Sequence, residues 1–239
     1  MAEWMEELRR LDDLRADSLI TEEEYEKQKA LLIPSESSND QSYNLLGLGK
    51  AISILSGLSA VAGLLTLIAF AYRASLLTDI KNGKFVSWSD GDDADAFVGA
   101  ASTIEFLIGI PLFVLLIIWA WRATVNIESK GRSGRWSRGW AIGGWFTPVM
   151  FLFVPYQIIS DAWKNATEVG GGRNKFWLAG FIFWWASVAF AIFGGIVSEG
   201  DAIDDAINGD VIFALSGGLG VIAGIMIAVA FNQMSKRHA

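Results

Sequence analysis

Apolar residues along this chain gather into long blocks instead of alternating faces. Four blocks, at 51–72, 98–121, 176–197 and 211–231, are nearly free of charge. Uncharged apolar runs of about 18 or more residues predict helices that cross a hydrocarbon core of about 30 Å. A fifth stretch, GWAIGGWFTPVMFLFVPYQIISDAW at 139–163, is as apolar but contains Pro148 and Pro155 and the pair Gly143-Gly144. Each proline removes a backbone donor, and paired glycines weaken a helix further. A straight helix from Trp140 to Val154 would reach only about 22 Å. The pattern predicts a segment over 140–165 that dips into a membrane and returns. Its second half, PYQIISDAWKN, reads as an amphipathic helix at headgroup level, with Pro155 in its first turn.

The basic residues decide between crossing and returning. Arg122, Lys130, Arg132, Arg135 and Arg138 precede the segment, and Lys164, Arg173 and Lys175 follow it. The loop at 198–210 has only acids, and the tail ends in Lys236 and Arg237. Lys and Arg in short loops mark the cytoplasmic side. If the segment crossed, the acidic loop would face the cytoplasm and the basic tail would lie outside. If it returns, every basic cluster and both termini are cytoplasmic, and the loops at 73–97 and 198–210 are external. Trp136, Trp140, Trp145, Trp163 and Trp177 would then form an aromatic belt on the cytoplasmic side.

Ahead of the apolar blocks the chain is charged. Trp4, Leu8, Leu11 and Leu14 fall at helical spacing, and Thr21 with Glu24 fits a capping box that starts a second helix carrying Tyr25 and Leu31. Two short helices bury little surface alone, so the face formed by these six apolar residues is expected to meet a partner or a second copy. The polar stretch at 34–44 reads as a flexible linker. The organisation expected is therefore a hairpin at 1–33, a linker at 34–44 and an all-α, four-span membrane domain at 45–235. With no secretory signal apparent, the first span is expected to act as an uncleaved anchor.

Composition narrows the chemistry. The chain has 239 residues, 52% of them hydrophobic, and a formal net charge of −7; this is too short to cover four apolar helices with a polar shell, which argues against a soluble protein. The absence of cysteine removes thiolate chemistry and cysteine metal sites.

Two stretches resemble known families. LRRLDDLRADSLITEEEYEKQKALLI resembles the SHOCT domain, a short helical hairpin, through its leucine spacing, its ITEEEY core and the trailing Lys27 and Lys29, with Ser18 at the family's turn glycine. That resemblance implies oligomerisation or recruitment and no catalysis. WRATVNIES, followed by GRWSRGWAIGGWFTPVMFLFVPYQIISDAWKN, resembles a bacterial membrane family, domain of unknown function 4328. The matching positions are Arg122-Ala123 with Asn126, Gly139 to Pro148, and Pro155 to Trp163. The resemblance implies this membrane layout over about 45–235 and assigns no activity.

No nucleophile–base set can be assembled. The single histidine, His238, stands next to last in a basic tail. Gly170-Gly171-Gly172-Arg173 lacks the strand and helix of a phosphate loop, and DGDDAD at 90–95 lacks the rest of a calcium loop. No cofactor or metal is expected. Glu105 is the one acid well inside a span. Intramembrane ionisable groups are costly and usually face an interior or a cavity. It reads either as an ion or proton site or as a hydrogen-bonding group near the outer interface, and the lack of a second buried charge at its depth favours the latter. Arg122, Asn126, Gln157, Asp161 and Trp163 are expected to line a shallow polar pocket at the cytoplasmic interface. Gly63 and the pair Gly220 and Gly224 lie on small-residue stripes that let helices approach closely, within the bundle or between copies.

The function expected is a non-enzymatic membrane scaffold or accessory subunit of a larger complex. Its partners would be other membrane proteins or itself, with anionic headgroups along the basic loop and no nucleic acid. A small transporter or channel built on Glu105 and the broken segment is the alternative.

Overall fold

The computed structural model describes residues 3–17, 19–21, 24–25, 28–29, 42–132, 134–166 and 173–237, with the first helix's side chains from residue 9 onward. The regular structure among the described residues is all helical, without strands. Helix α1 spans Glu3–Ala16. After it, Thr21 and Glu24 make the reciprocal box expected: Thr21 N donates to Glu24 Oε2 at 3.0 Å, and Glu24 N donates to Thr21 Oγ1 at 3.3 Å. The Thr21 backbone donor and hydroxyl hold the Glu24 carboxyl below its ordinary pKa. Tyr25 is buried, and its hydroxyl donates to Asp12 at 2.6 Å while Arg15 lies 4.3 Å over its ring. Leu11 is buried as well, so these two apolar residues are engaged within the chain. Leu14 is half-buried. The side chains of Trp4 and Leu8, and all of Leu31, lie outside the described residues.

Four helices are long and apolar enough to cross a membrane: α2 (Leu46–Lys81), α3 (Trp88–Ser129), α6 (Lys175–Ser198) and α7 (Ile203–Arg237). Between α3 and α6 come a short α4 (Arg138–Gly143), a 3-10 turn (Met150–Leu152) and α5 (Val154–Asn165). The long helices alternate in direction, so one end of the bundle gathers most of the basic residues and the other most of the acidic ones. The helices outrun the apolar blocks. At 36 and 42 residues, α2 and α3 are about 54 and 63 Å long. The stretch at 73–97, read from hydropathy as a loop, is therefore mostly helix. Ser87 caps α3 by accepting from Asp90 N, and Asp90 returns the bond to the Ser87 backbone. The aspartates at 90–95 occupy the first turns of α3, where helix N-termini favour acids, and do not form a calcium loop. Likewise Asp204 and Asp205 open α7.

Helix α7 packs along α2 and α6, and α3 packs along α2. The α2–α7 seam is backbone on backbone. A Cβ added to Gly217 would lie 2.7 Å from the Gly63 carbonyl oxygen, and one on Gly224 would lie 2.6 Å from the Ser56 carbonyl oxygen. Of the stripe residues singled out in the sequence, Gly63 and Gly224 sit in this seam. A Cβ on Gly220 meets only the Ser187 hydroxyl at 3.6 Å. Ser187 and Ser216 tie α6 to α7, each hydroxyl donating to the other's carbonyl at 3.0 and 2.9 Å.

The segment between α3 and α6 starts and finishes at the basic end. Arg138 pairs with Glu128 at the end of α3. The Arg132 guanidinium donates to the Asn165 carbonyl at 3.2 Å, and Arg135 pairs with Asp161 at 3.3 Å. Between these anchors the chain inserts aromatic rings into the bundle. Phe113 of α3 meets Trp145 and Phe151 edge-on at 5.4 and 6.2 Å, and Phe151 meets Trp184 and Trp185 of α6 at 5.6 and 5.0 Å. Pro155 starts α5, which buries most of its residues instead of lying open on one face. The expected aromatic belt is divided for the same reason. Trp145, Trp163 and Trp177 are buried in protein, whereas Trp140 is exposed.

Candidate functional site

Three polar arrangements stand out against this apolar frame. The first lies at the basic end, where the five expected pocket residues meet four different residues. Asn126 accepts from Tyr43 N at 2.7 Å and donates to the Tyr43 carbonyl at 2.8 Å, in the manner of a neighbouring strand. Arg122 stacks over the Tyr43 ring at 5.2 Å. Gln157 accepts from Trp136 Nε1 at 2.9 Å, and Asp161 accepts from Arg135 N at 3.2 Å besides pairing with its guanidinium. Trp163 lies under Arg237 at 3.6 Å. These contacts fasten chain segments together: the lead-in to α2, the basic loop and the C-terminal turn. Tyr43, expected in a free linker, is thus a fixed point of the fold.

The second arrangement closes the acidic end, and spacing in the sequence gave no sign of it. Arg73 near the end of α2 grips Asp210 of α7 with two prongs, Nε to Oδ2 at 2.9 Å and an Nη to Oδ1 at 2.6 Å. It also reaches Asp95 of α3 at 3.1 Å. Only 2% of the Asp210 side chain is exposed, so the charge is viable there only because it is paired. The one signal in the sequence is that a lone arginine ends the first apolar block and an aspartate precedes the last.

The third is a cavity of about 430 Å³ bounded by all four long helices and by Trp145. It runs along α3 from Ser102 to Leu116, about 21 Å of helix. Glu105 is the one ionisable residue in its lining. Thr66 Oγ1 donates to Glu105 Oε2 at 2.7 Å, and the other carboxyl oxygen has no partner among the described residues. The Ser187–Ser216 pair, on α6 and α7, also lines it. Trp145 is buried with its indole N–H unpartnered among the described residues. Among those residues no cluster of three His, Cys, Asp or Glu side chains is placed to hold a metal ion.

Fold and cavity together define a class: an all-helical protein with four helices apolar enough for a multi-pass membrane protein and a pocket between them that holds a single carboxyl. A family model described as domain of unknown function (DUF4328) matches residues 82–236, more than half of the chain, and the protein belongs to that family. The match takes in α3 to α7 and leaves α1 and α2 outside it, a narrower span than the resemblance implied. No curated protein and no solved structure matches the chain.

Proposed function

We propose that this protein is a non-enzymatic membrane scaffold or accessory subunit, with the N-terminal hairpin as its recruiting or self-associating module. The observation that carries this reading is the set of contacts that follows α1. The Thr21–Glu24 capping box and the Tyr25–Asp12 bond turn the chain back onto α1, which supports a small helical module ahead of the membrane domain. The SHOCT-like pattern of those residues supports the same role. Companions would be other membrane proteins or further copies, and the basic loop suits anionic headgroups.

In this reading the chain spans the membrane four times with both termini cytoplasmic. The segment at 140–165 enters from the cytoplasmic side and returns to it. The ion pairs that hold both of its ends at the basic end support that path, as does the bias of Lys and Arg to that end. A reporter inserted at 166–172 is expected to be read from the cytoplasm; an external reading would require the segment to cross.

Purification in mild detergent, followed by mass spectrometry of co-eluting proteins, tests the scaffold role. A stoichiometric companion, or a defined self-assembly, is expected with the full chain and lost on deleting residues 1–33. Retention of the same assembly without the hairpin would overturn the role given to it. A second reading, a small transporter, is favoured by one observation, the carboxyl-bearing cavity between the helices.

A further inference from the structure

We infer that the cavity between the four long helices binds a hydrophobic organic cation: a protonated amine on an aromatic or branched apolar body. The argument starts from charge. Glu105 is the sole ionisable side chain in the lining, which contains no Lys, Arg or His. Glu105 is half-buried, and in a membrane its open side would face lipid rather than bulk water, where a carboxylate needs a compensating charge or further donors. Thr66 supplies one donor to one oxygen, and the second oxygen is left for something else. The nearest guanidinium in the chain sequence of α2, that of Arg73, is committed to Asp210 and Asp95. A cation at Glu105 must therefore arrive with the ligand.

The walls select the same charge and the same body. Eight aromatic side chains line the cavity, contributed by α2, α3, α6, α7 and the inserted segment. Aromatic faces carry negative potential and attract ammonium groups, the more so where water is excluded. Between them the lining is mostly aliphatic, with five hydroxyls: Thr66 is bonded to Glu105, Ser187 and Ser216 are bonded to each other, and Ser59 and Ser102 add two more polar points. A volume of about 430 Å³ lies in the range of small-molecule sites. A zwitterionic lipid headgroup fits worse than a simple amine, because its phosphate would find no cation in the lining.

This inference deepens the transport reading of the cavity and is independent of the hairpin's role. Binding at equilibrium is measured apart from flux, so that the two fail separately. The purified full chain, in phosphatidylcholine nanodiscs, is titrated with N,N-dimethyl-4-phenylbutylamine and with its neutral carbon isostere, with protein-free discs subtracting partition into lipid. The amine is expected to bind in a 1:1 ratio at least tenfold more tightly than the isostere. Glu105→Gln, which keeps an oxygen for Thr66, is expected to weaken the amine at least tenfold and leave the isostere unchanged. Equal binding of amine and isostere to the unaltered protein would overturn the inference, and would do so even if the variant failed to fold. So would amine binding that survives Glu105→Gln. Discs containing phosphatidylethanolamine provide the remaining arm: loss of amine binding there would assign the site to a lipid headgroup and overturn the free-cation assignment. Tight binding without uptake of the amine into vesicles would leave the site and remove the transport reading.

Discussion

Arg73→Gln is expected to cost about 3–5 kcal/mol of stability, the scale for breaking a buried ion pair by removing one partner. The variant leaves Asp210 in place with its carboxylate shielded from solvent and both of its bonds gone. The loss comes chiefly from that stranded charge, which stands where α2, α3 and α7 meet. The Asp95 arm adds little, because that side chain is 70% exposed and exposed pairs contribute about 0–1 kcal/mol. Unfolding midpoints in detergent give a clear ordering. Arg73→Gln falls furthest, and Asp95→Asn stays within about 1 kcal/mol of the unaltered protein. Adding Asp210→Asn to Arg73→Gln recovers part of the loss, because the uncompensated charge is then removed. Arg73→Lys lies between, since an ammonium restores charge but cannot hold both carboxylate oxygens in one plane. An Arg73→Gln protein that unfolds with the unaltered one would show the pair to be structurally idle.

The way that ion pair escaped the sequence explains what can be read from it. The four long helices were legible because each is announced by a local run of apolar residues, and hydropathy is a local quantity. Their ends were not. The turns from Arg73 to Lys81 and from Trp88 to Phe97 are polar, and they are helical because Ser87 and Asp90 cap one helix while the other simply continues its ladder of hydrogen bonds. Glu105 was legible as a charge where charges are costly, yet its partner Thr66 is an ordinary residue in an apolar run. The basic-end residues were expected to line one shallow polar pocket, and which partner each takes depends on how separate segments meet. Asn126 reaches back 83 positions to Tyr43. The broken segment was legible from Pro148 and Pro155. The depth to which it is packed in protein was not, since that follows from Phe113, Trp184 and Trp185 on two other helices.

The small-residue stripe shows the same division and yields the other large effect. Intervals of four drew attention to Gly220 and Gly224 and passed over Gly217, which makes the tightest fit with Gly63. A methyl group on Gly217 would lie 2.7 Å from both the Gly63 oxygen and the Leu67 nitrogen, atoms of backbone that cannot rotate away. The helices must separate to admit it, and overpacking of this kind costs about 1–3 kcal/mol. At Gly220 the same methyl group makes only an ordinary contact with a serine hydroxyl and improves helix propensity, so Gly220→Ala is expected to be near neutral. The two alanine variants, one turn apart on one helix, thus separate close approach from composition. Gly217→Ala should lower the unfolding midpoint in detergent, and Gly217→Leu should lower it further or prevent assembly of the bundle. Oligomeric mass, measured alongside, distinguishes where the seam acts. Lowered stability at unchanged mass places it between α2 and α7 of one chain. Unchanged stability with altered mass would instead place it between copies, which is the arrangement a glycine stripe alone leaves open.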